Sequence, residues 1–149
     1  METRPLPLGK ADHRHDYLTS LADEVHRTYF YKYPQLPVRW GQQITRKKRR
    51  SIRLGSYNHI TTEIRIHPLL MSPDIPAFFI QSVIYHEYLH HALGASHNRR
   101  FHKEERKFRY FRESKEWIRR HLYLLLGTKR NRPIVMPPPQ AMPPQMALF

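Results

Sequence analysis

Two stretches of the chain place apolar residues at the spacing of an amphipathic helix. The first covers residues 12–31, and its apolar stripe consists of Leu18, Leu21, Val25 and Tyr29. Pro34 and Pro37 follow it and predict where this helix ends. The second covers residues 98–126, and one of its faces carries Phe101, Phe108, Phe111, Lys115, Ile118 and Leu122. Because arginines dominate its opposite face, this pattern predicts one long helix with its aromatic side chains in the core.

Between these helices the pattern changes to short runs in which apolar and polar residues alternate. Such runs occupy residues 38–44, 51–54 and 60–66, and the tripeptide at 57–59 suits the turn between the last two. Together they predict a small antiparallel sheet, with residues 61–66 at its edge. The chain is therefore predicted to have an α+β fold, in which an N-terminal helix and a small sheet precede two packed helices.

A more apolar run predicts a buried helix between the prolines of residues 68–76 and Gly94. Its second half contains HEYLH at residues 86–90, which is an HExxH motif. His86 and His90 are four residues apart, so both imidazoles project from one side of a helix and can bind one metal ion. Glu87 lies next to the first histidine, where its carboxylate can accept a proton from water.

The alternative interpretation is a helix whose polar edge happens to be rich in histidine. The chain has 11 histidines, so two of them four residues apart can occur by chance. The apolar surroundings favour the metal site, because buried polar groups without partners cost about 1–3 kcal/mol each. We therefore predict a metal site on this helix.

A catalytic zinc ion takes three protein ligands, so a third must follow the motif. The chain has no cysteine, which restricts the ligands to histidine and carboxylate. The candidates are His91, His97, His102, Glu104 and Glu105. His97 is favoured because it lies just past Gly94, where the chain can turn back, whereas His91 points about 100° around the helix. The prediction is Zn²⁺ bound by His86, His90 and His97, with Glu87 as general base in peptide hydrolysis.

The run from His86 to Phe101 combines the HExxH, a short turn with a glycine, and then His-x-x-x-Phe. It resembles the SprT-like metallopeptidases, a group that includes the DNA-repair protease Spartan, the Wss-type (WLM) proteases and the bacterial YgjP-like proteins. The order of the predicted elements over residues 12–126 resembles that family as well. The resemblance implies a fold of the minimal gluzincin type. It also implies the zinc ligands and the catalytic base: His86, His90, His97 and Glu87.

Two positions depart from the pattern of that family. His91 stands where a small or apolar residue is usual, and Asn98 stands where glycine often follows the third ligand. Six residues separate His90 from His97, one more than in the metzincin motif HExxHxxGxxH, so the metzincins fit less well. These differences leave the subfamily open.

Charge is the second global feature of the chain. The formal net charge is +14, and a protein this basic is expected to work near a polyanion. The predicted nucleic-acid contacts are the two basic clusters: Arg46, Lys47, Lys48, Arg49, Arg50, Arg99 and Arg100. DNA or RNA is favoured over a merely solvated basic face, although an anionic membrane surface would attract the same residues. No stretch approaches the ~20 apolar residues that span a membrane, and the N-terminus lacks the core of a signal peptide. We expect a cytoplasmic, nucleoid-associated protein.

The composition changes after Gly127. Residues 1–127 are predicted to form the metallopeptidase domain, and the proline-rich residues 128–149 a disordered tether. The last five residues resemble the peptide with which bacterial proteins bind the sliding clamp. The residues that would contact the clamp are Gln145, Met146, Leu148 and Phe149.

The predicted function is zinc-dependent hydrolysis of proteins bound or crosslinked to DNA, with recruitment by basic surfaces and a sliding clamp. One alternative keeps the hydrolase but gives it another substrate, as in a YgjP-like metal-dependent hydrolase. A second is a non-catalytic adaptor that binds nucleic acid or the clamp and uses the HExxH only as structure.

Overall fold

The computed structural model describes residues 9–42 and 52–126. The helices are α1 (Gly9–Tyr29), α2 (Ala77–Leu93), α3 (Arg99–Glu105) and α4 (Phe111–Leu126), and a short 3₁₀ helix spans Pro68–Met71. The strands are β1 (Val38–Trp40), β2 (Gly55–Asn58) and β3 (Glu63–Ile66). The predicted α+β class is confirmed. The basic run 46–50 and the predicted tail with its terminal peptide lie outside the described residues.

The sheet has the order β1-β3-β2, and it is mixed rather than antiparallel as predicted. β2 pairs with β3 in antiparallel fashion, whereas β1 runs parallel to β3. The prediction that residues 61–66 form an edge is also wrong, because β3 is the central strand. Ile64 and Ile66 of β3 are fully buried, and burying both is the physical reason for placing this strand in the middle.

The strand boundaries differ from the predicted ones for a local reason. Tyr57 and Asn58 belong to β2, and the turn follows them at residues 59–62. The Asn58 side-chain oxygen accepts hydrogen bonds from the backbone N–H groups of Ile60 and Thr61, which closes the turn. Thr62 takes a positive φ of 62° at its end. The turn therefore begins within the predicted tripeptide, at its last residue, and extends beyond it.

The predicted long helix over residues 98–126 is broken into α3 and α4. Phe108 lies in the break and is buried, with its ring 5.2 Å from that of Tyr85 and 5.6 Å from that of Tyr29. The Tyr29 hydroxyl accepts a hydrogen bond from the backbone N–H of Arg109, which satisfies one group that the break exposes. Burial of one aromatic ring in this way outweighs helix continuity.

Helix α2 lies at the centre of the core. Every residue from Phe79 to Leu89 is buried, because α1, the sheet, α3 and α4 all contact this helix. Two ionisable side chains of the HExxH, His86 and Glu87, therefore lie inside the protein. In the described parts of the chain, no helix has the length and apolar character that crossing a membrane requires.

Candidate metal centre

The structure brings three histidines from two segments together. His86 and His90 project from one side of α2, and the chain turns back after this helix to place His97 beside them. Each imidazole offers one nitrogen, and these nitrogens all lie within 4.8 Å of one another. The turn depends on Gly94, whose φ of 100° is a conformation that residues with a side chain rarely adopt. The three residues predicted as ligands can thus hold one metal ion.

The three imidazoles differ in exposure. His86 is 4% exposed, His90 is half-buried and His97 is exposed. The Nε2 atoms of His90 and His97 lie 3.0 Å apart. Burial lowers the pKa of His86 to about 4, so this imidazole is neutral, which is the form that binds metal ions.

Two of the imidazoles are oriented by hydrogen bonds at their Nδ1 atoms. The Nδ1 atom of His86 lies 2.7 Å from a carboxylate oxygen of Glu105, and the Nδ1 atom of His90 lies 2.9 Å from the backbone oxygen of Gly94. Since both oxygens accept, each Nδ1 carries the proton and each Nε2 keeps its lone pair. This is the tautomer in which a histidine binds metal through Nε2.

Glu105 is a functional candidate whose position the sequence did not reveal. It was one possible third ligand, but its buried carboxylate contacts the far side of the His86 ring. Burial acts to raise its pKa, but the hydrogen bond from His86 and the electrostatic influence of His86, Lys115 and His102 together outweigh this effect, so the pKa lies below its ordinary value. A sequence signal did exist, because Glu105 follows the core residue Phe101 by one helical turn and so shares its inward face.

The remaining candidates for the third ligand have different partners. The His91 ring nitrogen Nδ1 lies 2.6 Å from the Tyr57 hydroxyl. Glu104 forms an ion pair of 3.1 Å with Lys107, and His102 is exposed at 3.6 Å from Glu105. Within the described part of the chain, none of these side chains belongs to the converging group of nitrogens.

Glu87 is buried between α2 and the sheet, and it is only 2% exposed. One of its carboxylate oxygens, Oε1, has no hydrogen-bond partner among the described residues. Burial raises the pKa of Glu87 to about 8, while the positive charge of nearby Arg53 opposes that rise. A buried carboxylate without a hydrogen-bond partner is costly unless a cation or a polar ligand lies beside it.

Gly55 is a second residue whose role was not predicted. A Cβ atom at this position would lie 2.7 Å from Cγ1 of Val83 and 3.0 Å from Oε2 of Glu87. The first distance is shorter than real contacts allow, so only glycine lets β2 approach α2 this closely. The available signal was a glycine next to an alternating strand pattern, which often marks a close backbone approach.

An open cleft of about 370 Å³ adjoins the histidines. One wall comes from β2 and its neighbours and the other from the end of α2 and the turn after it. The lining residues are Arg53, Tyr57, His59, His90, Gly94, Ala95 and His97. A molecule in this cleft would therefore contact two of the three histidines.

One edge of β2 is unpaired in the described part of the chain, because β2 pairs only with β3. The Leu54 backbone oxygen accepts a hydrogen bond from the N–H of His67, so residues 54, 56 and 58 direct their backbone groups toward β3. The backbone groups of Gly55 and Tyr57 face the opposite way, at the free edge.

Arg99 and Arg100 begin α3 and are exposed. Asn98 separates them from His97. Its side chain caps the helix by accepting a hydrogen bond from the backbone N–H of Phe101, which is why α3 begins at Arg99. Two of the predicted nucleic-acid contacts thus lie on the exposed start of α3, within three residues of His97 in the chain. The remaining five, Arg46 to Arg50, lie outside the described residues.

Comparisons with known proteins give little further information. No protein-family model matches the chain. No curated protein matches it either. Among solved structures, the crystal structure of the metallopeptidase zymogen of Methanocaldococcus jannaschii jannalysin is similar over 77% of this chain and 91% of that chain, with 14% identity and a TM-score of 0.44. A similarity of this size supports no inference about activity.

Proposed function

We propose that this chain is a zinc-dependent peptidase of SprT-like type that acts on proteins bound or crosslinked to DNA. One observation carries the proposal: the buried residue Glu87 follows His86 on α2, and His86 belongs to a group of three converging imidazoles, two of which line an open cleft. A carboxylate and three histidines in this arrangement are the groups that metal-dependent hydrolysis of peptides uses.

The donor set fits zinc. Neutral histidine nitrogens are preferred ligands of this ion, and three of them leave a fourth position for water or substrate. The unpartnered Oε1 of Glu87 is a second argument, since a nearby cation would offset the cost of burying it. Zinc held by His86, His90 and His97 would supply a Lewis acid that polarises the substrate carbonyl.

Glu87 is proposed as the general base. It would accept a proton from the attacking water and donate it to the leaving amine. A base is most effective when its pKa lies near the working pH, and burial moves the pKa of Glu87 in that direction. The close contact with Gly55 leaves the carboxylate little freedom to move.

A polypeptide substrate is supported by the free edge of β2. An extended peptide can add to such an edge through main-chain hydrogen bonds, whatever its side chains. The backbone groups of Tyr57 face this edge, and Tyr57 also lines the cleft. A peptide bound there would pass beside His90 and His97.

Association with DNA is supported by charge. The net charge of +14 favours binding to a polyanion, and Arg99 and Arg100 are exposed and follow His97 closely in the chain. Contacts of this kind bind phosphates without reading sequence, which suits an enzyme that acts wherever a protein is attached to DNA.

The C-terminal peptide is proposed as a second means of recruitment. Met146, Leu148 and Phe149 are apolar anchors for a groove on a bacterial sliding clamp, and Gln145 supplies oriented hydrogen bonds. The prolines before them favour an extended tether that keeps the peptide accessible.

The test measures proteolysis together with metal content. We expect about one zinc ion per purified chain, and cleavage of a small DNA-binding protein that is faster when the protein is bound to DNA. Glu87→Gln should lower kcat about 10²- to 10⁴-fold without loss of zinc, because it removes only the base. Glu104→Gln, on the surface near the site, is the matched control and should stay active.

Three results would contradict parts of the proposal. A wild-type protein that binds no zinc, even when zinc is supplied, would exclude the metallopeptidase. No cleavage by the zinc-loaded wild type, together with unchanged nucleic-acid binding by Glu87→Gln, would favour the non-catalytic adaptor. Cleavage that DNA does not accelerate would leave a hydrolase with another substrate, which is the YgjP-like alternative.

A further inference from the structure

The cleft beside the histidines has an unbalanced charge. Its lining contains one arginine and three histidines, and no carboxylate among the described residues lines it. Arg53 is the member with a permanent positive charge, since arginine stays protonated in proteins. A ligand in this cleft would therefore meet a guanidinium with no carboxylate lining the cleft to compete for it.

Arg53 is held at the edge of the sheet. Its Nε donates a hydrogen bond of 3.1 Å to the backbone oxygen of Gly55, and that oxygen faces the free edge of β2. This bond uses one donor of the guanidinium and leaves its two terminal nitrogens for other partners. The side chain is thus fixed at one point where an added peptide strand would run.

Two arginines on the strands of the sheet differ from Arg53 in having an acidic partner. Arg39 and Arg65 both form ion pairs with Glu63, at 3.0 Å and 3.1 Å. Within the described part of the chain, Arg53 forms no ion pair with a carboxylate. An arginine at a strand edge without an acidic partner is suited to bind an acidic group from outside.

Arg53 also lies near the reacting groups. Burial is the main influence on the pKa of Glu87 and of His97, and in both cases the charge of Arg53 makes a further contribution. The guanidinium is therefore close enough to the candidate base and to a candidate metal ligand to act on the same substrate molecule.

We propose that Arg53 forms a carboxylate-binding subsite, which makes the enzyme prefer peptides with a carboxylate next to the cleaved bond. The inference rests on the proposed peptidase function. Guanidinium and carboxylate match in shape and charge, and they pair through two parallel hydrogen bonds. The carboxylate comes either from an acidic side chain or from the C-terminus of the substrate. A single arginine beside a strand edge fits a peptide, whereas nucleic acid is held by several cations along its backbone.

Binding is measured first, on zinc-loaded full-length protein carrying Glu87→Gln so that no substrate is consumed. Three fluorescent peptides of otherwise equal sequence serve as probes. The first has a central glutamate and an amidated C-terminus, the second has glutamine there with the same amide, and the third has glutamine with a free C-terminus. We expect about tenfold tighter binding of the first or the third peptide than of the second.

Adding Arg53→Gln to this protein should make the affinities for the three peptides equal. Arg53→Lys should keep part of the preference, because lysine keeps the positive charge but cannot form the two parallel hydrogen bonds of a guanidinium. Arg39→Gln is the matched control, since Arg39 lies on the opposite edge strand, and it should leave the preference intact. Zinc content and circular dichroism show that each variant is folded. A preference for the first peptide identifies an acidic side chain as the source, and a preference for the third identifies the C-terminus.

The same peptides offered to the wild type separate the two proposals. Cleavage of all three at equal rates would overturn the subsite while the peptidase stands. Carboxylate binding that depends on Arg53, without cleavage of any peptide, would keep the subsite and remove the peptidase. Equal binding of the three peptides with Arg53 intact would overturn the subsite. The subsite would also be overturned if an oligonucleotide competed with the peptides for binding and this competition were lost in Arg53→Gln. That result would show that Arg53 binds phosphate.

Discussion

The two halves of the candidate site differ in burial. On the inner side, His86, Glu87 and Glu105 are all buried, and a Cβ atom on Gly55 would lie only 3.0 Å from Oε2 of Glu87. On the outer side, His97 is exposed and borders the open cleft. The inner half is fixed by packing and hydrogen bonds before anything binds, whereas the outer half is free to exchange ligands. This division is what a hydrolase needs, because the base and one ligand must hold still while substrates enter and leave.

The comparison predicts very different effects of removing the inner and the outer histidine. His86→Ala leaves the buried carboxylate of Glu105 without its hydrogen bond from His86, which should cost about 1–3 kcal/mol of stability as well as the bound zinc. His97→Ala should weaken zinc binding but change the free energy of unfolding by less than about 0.5 kcal/mol, because the side chain is exposed.

Urea unfolding of the metal-free proteins and zinc titration measure these two effects separately. Equal stability of the two variants would show that the inner half is not fixed by its own contacts. Zinc retained at full affinity in His97→Ala would move the third ligand to another residue.

Glu105 tests whether the inner half tunes the metal through its hydrogen bond. Glu105→Gln keeps the size of the side chain but removes the charge that faces His86. We expect zinc affinity to fall about 10- to 100-fold, as is usual when the partner of a metal-bound histidine is changed. Glu104→Gln is the neighbouring control, because Glu104 pairs with Lys107 at the surface. Competition with a chelator measures both, and equal affinities would remove Glu105 from the site.

Gly55 tests the close packing of the sheet against α2. Gly55→Ala places a methyl group 2.7 Å from Val83, and we expect a loss of about 1–3 kcal/mol in stability from overpacking. Gly41→Ala is the control on the opposite side of the sheet, where the nearest atom to the new methyl is 3.5 Å away. Chemical denaturation should separate the two variants. Equal stability of Gly55→Ala and Gly41→Ala would show that β2 packs less closely against Val83 and Glu87 than the structure indicates.

The smallest expected effect concerns the surface next to the outer half. Replacing Arg99 and Arg100 by alanine should weaken DNA binding a few-fold, and it should reduce the slope of log affinity against log salt by about one for each phosphate that these arginines neutralise. The control is the double replacement of Arg119 and Arg120, which already pair with Glu116. Fluorescence anisotropy over a range of salt concentrations gives both quantities. A larger effect in the control would place the DNA on α4 instead.

The parts of the site that were predictable share a physical cause. His86 and His90 lie on one helix at a fixed spacing, so helix geometry alone brings their imidazoles together. His97 required only one more local feature, the turn at Gly94. The zinc, the ligand roles and the clamp peptide stay predictions, since proximity of side chains does not test them.

The parts that were missed depend on contacts between distant segments. Whether Glu105 contacts the metal or the back of His86 depends on where α3 packs on α2. The role of Gly55 depends on how closely β2 approaches that helix. The break at Phe108 depends on Tyr85 and Tyr29, which no pattern within residues 98–126 reveals.

The sequence by itself determined the α+β class, the buried helix and the geometry of the HExxH, because periodicity and spacing act over a few residues. Only the tertiary structure decided that β1 runs parallel to β3 and that β3 is central, since strand pairing is selected by the burial of Ile64 and Ile66 across the whole sheet. It also decided which carboxylate supports a histidine and which arginine lies beside the cleft. Local patterns specify elements, whereas the environment of a charged side chain is set by the packing of elements far apart in the chain.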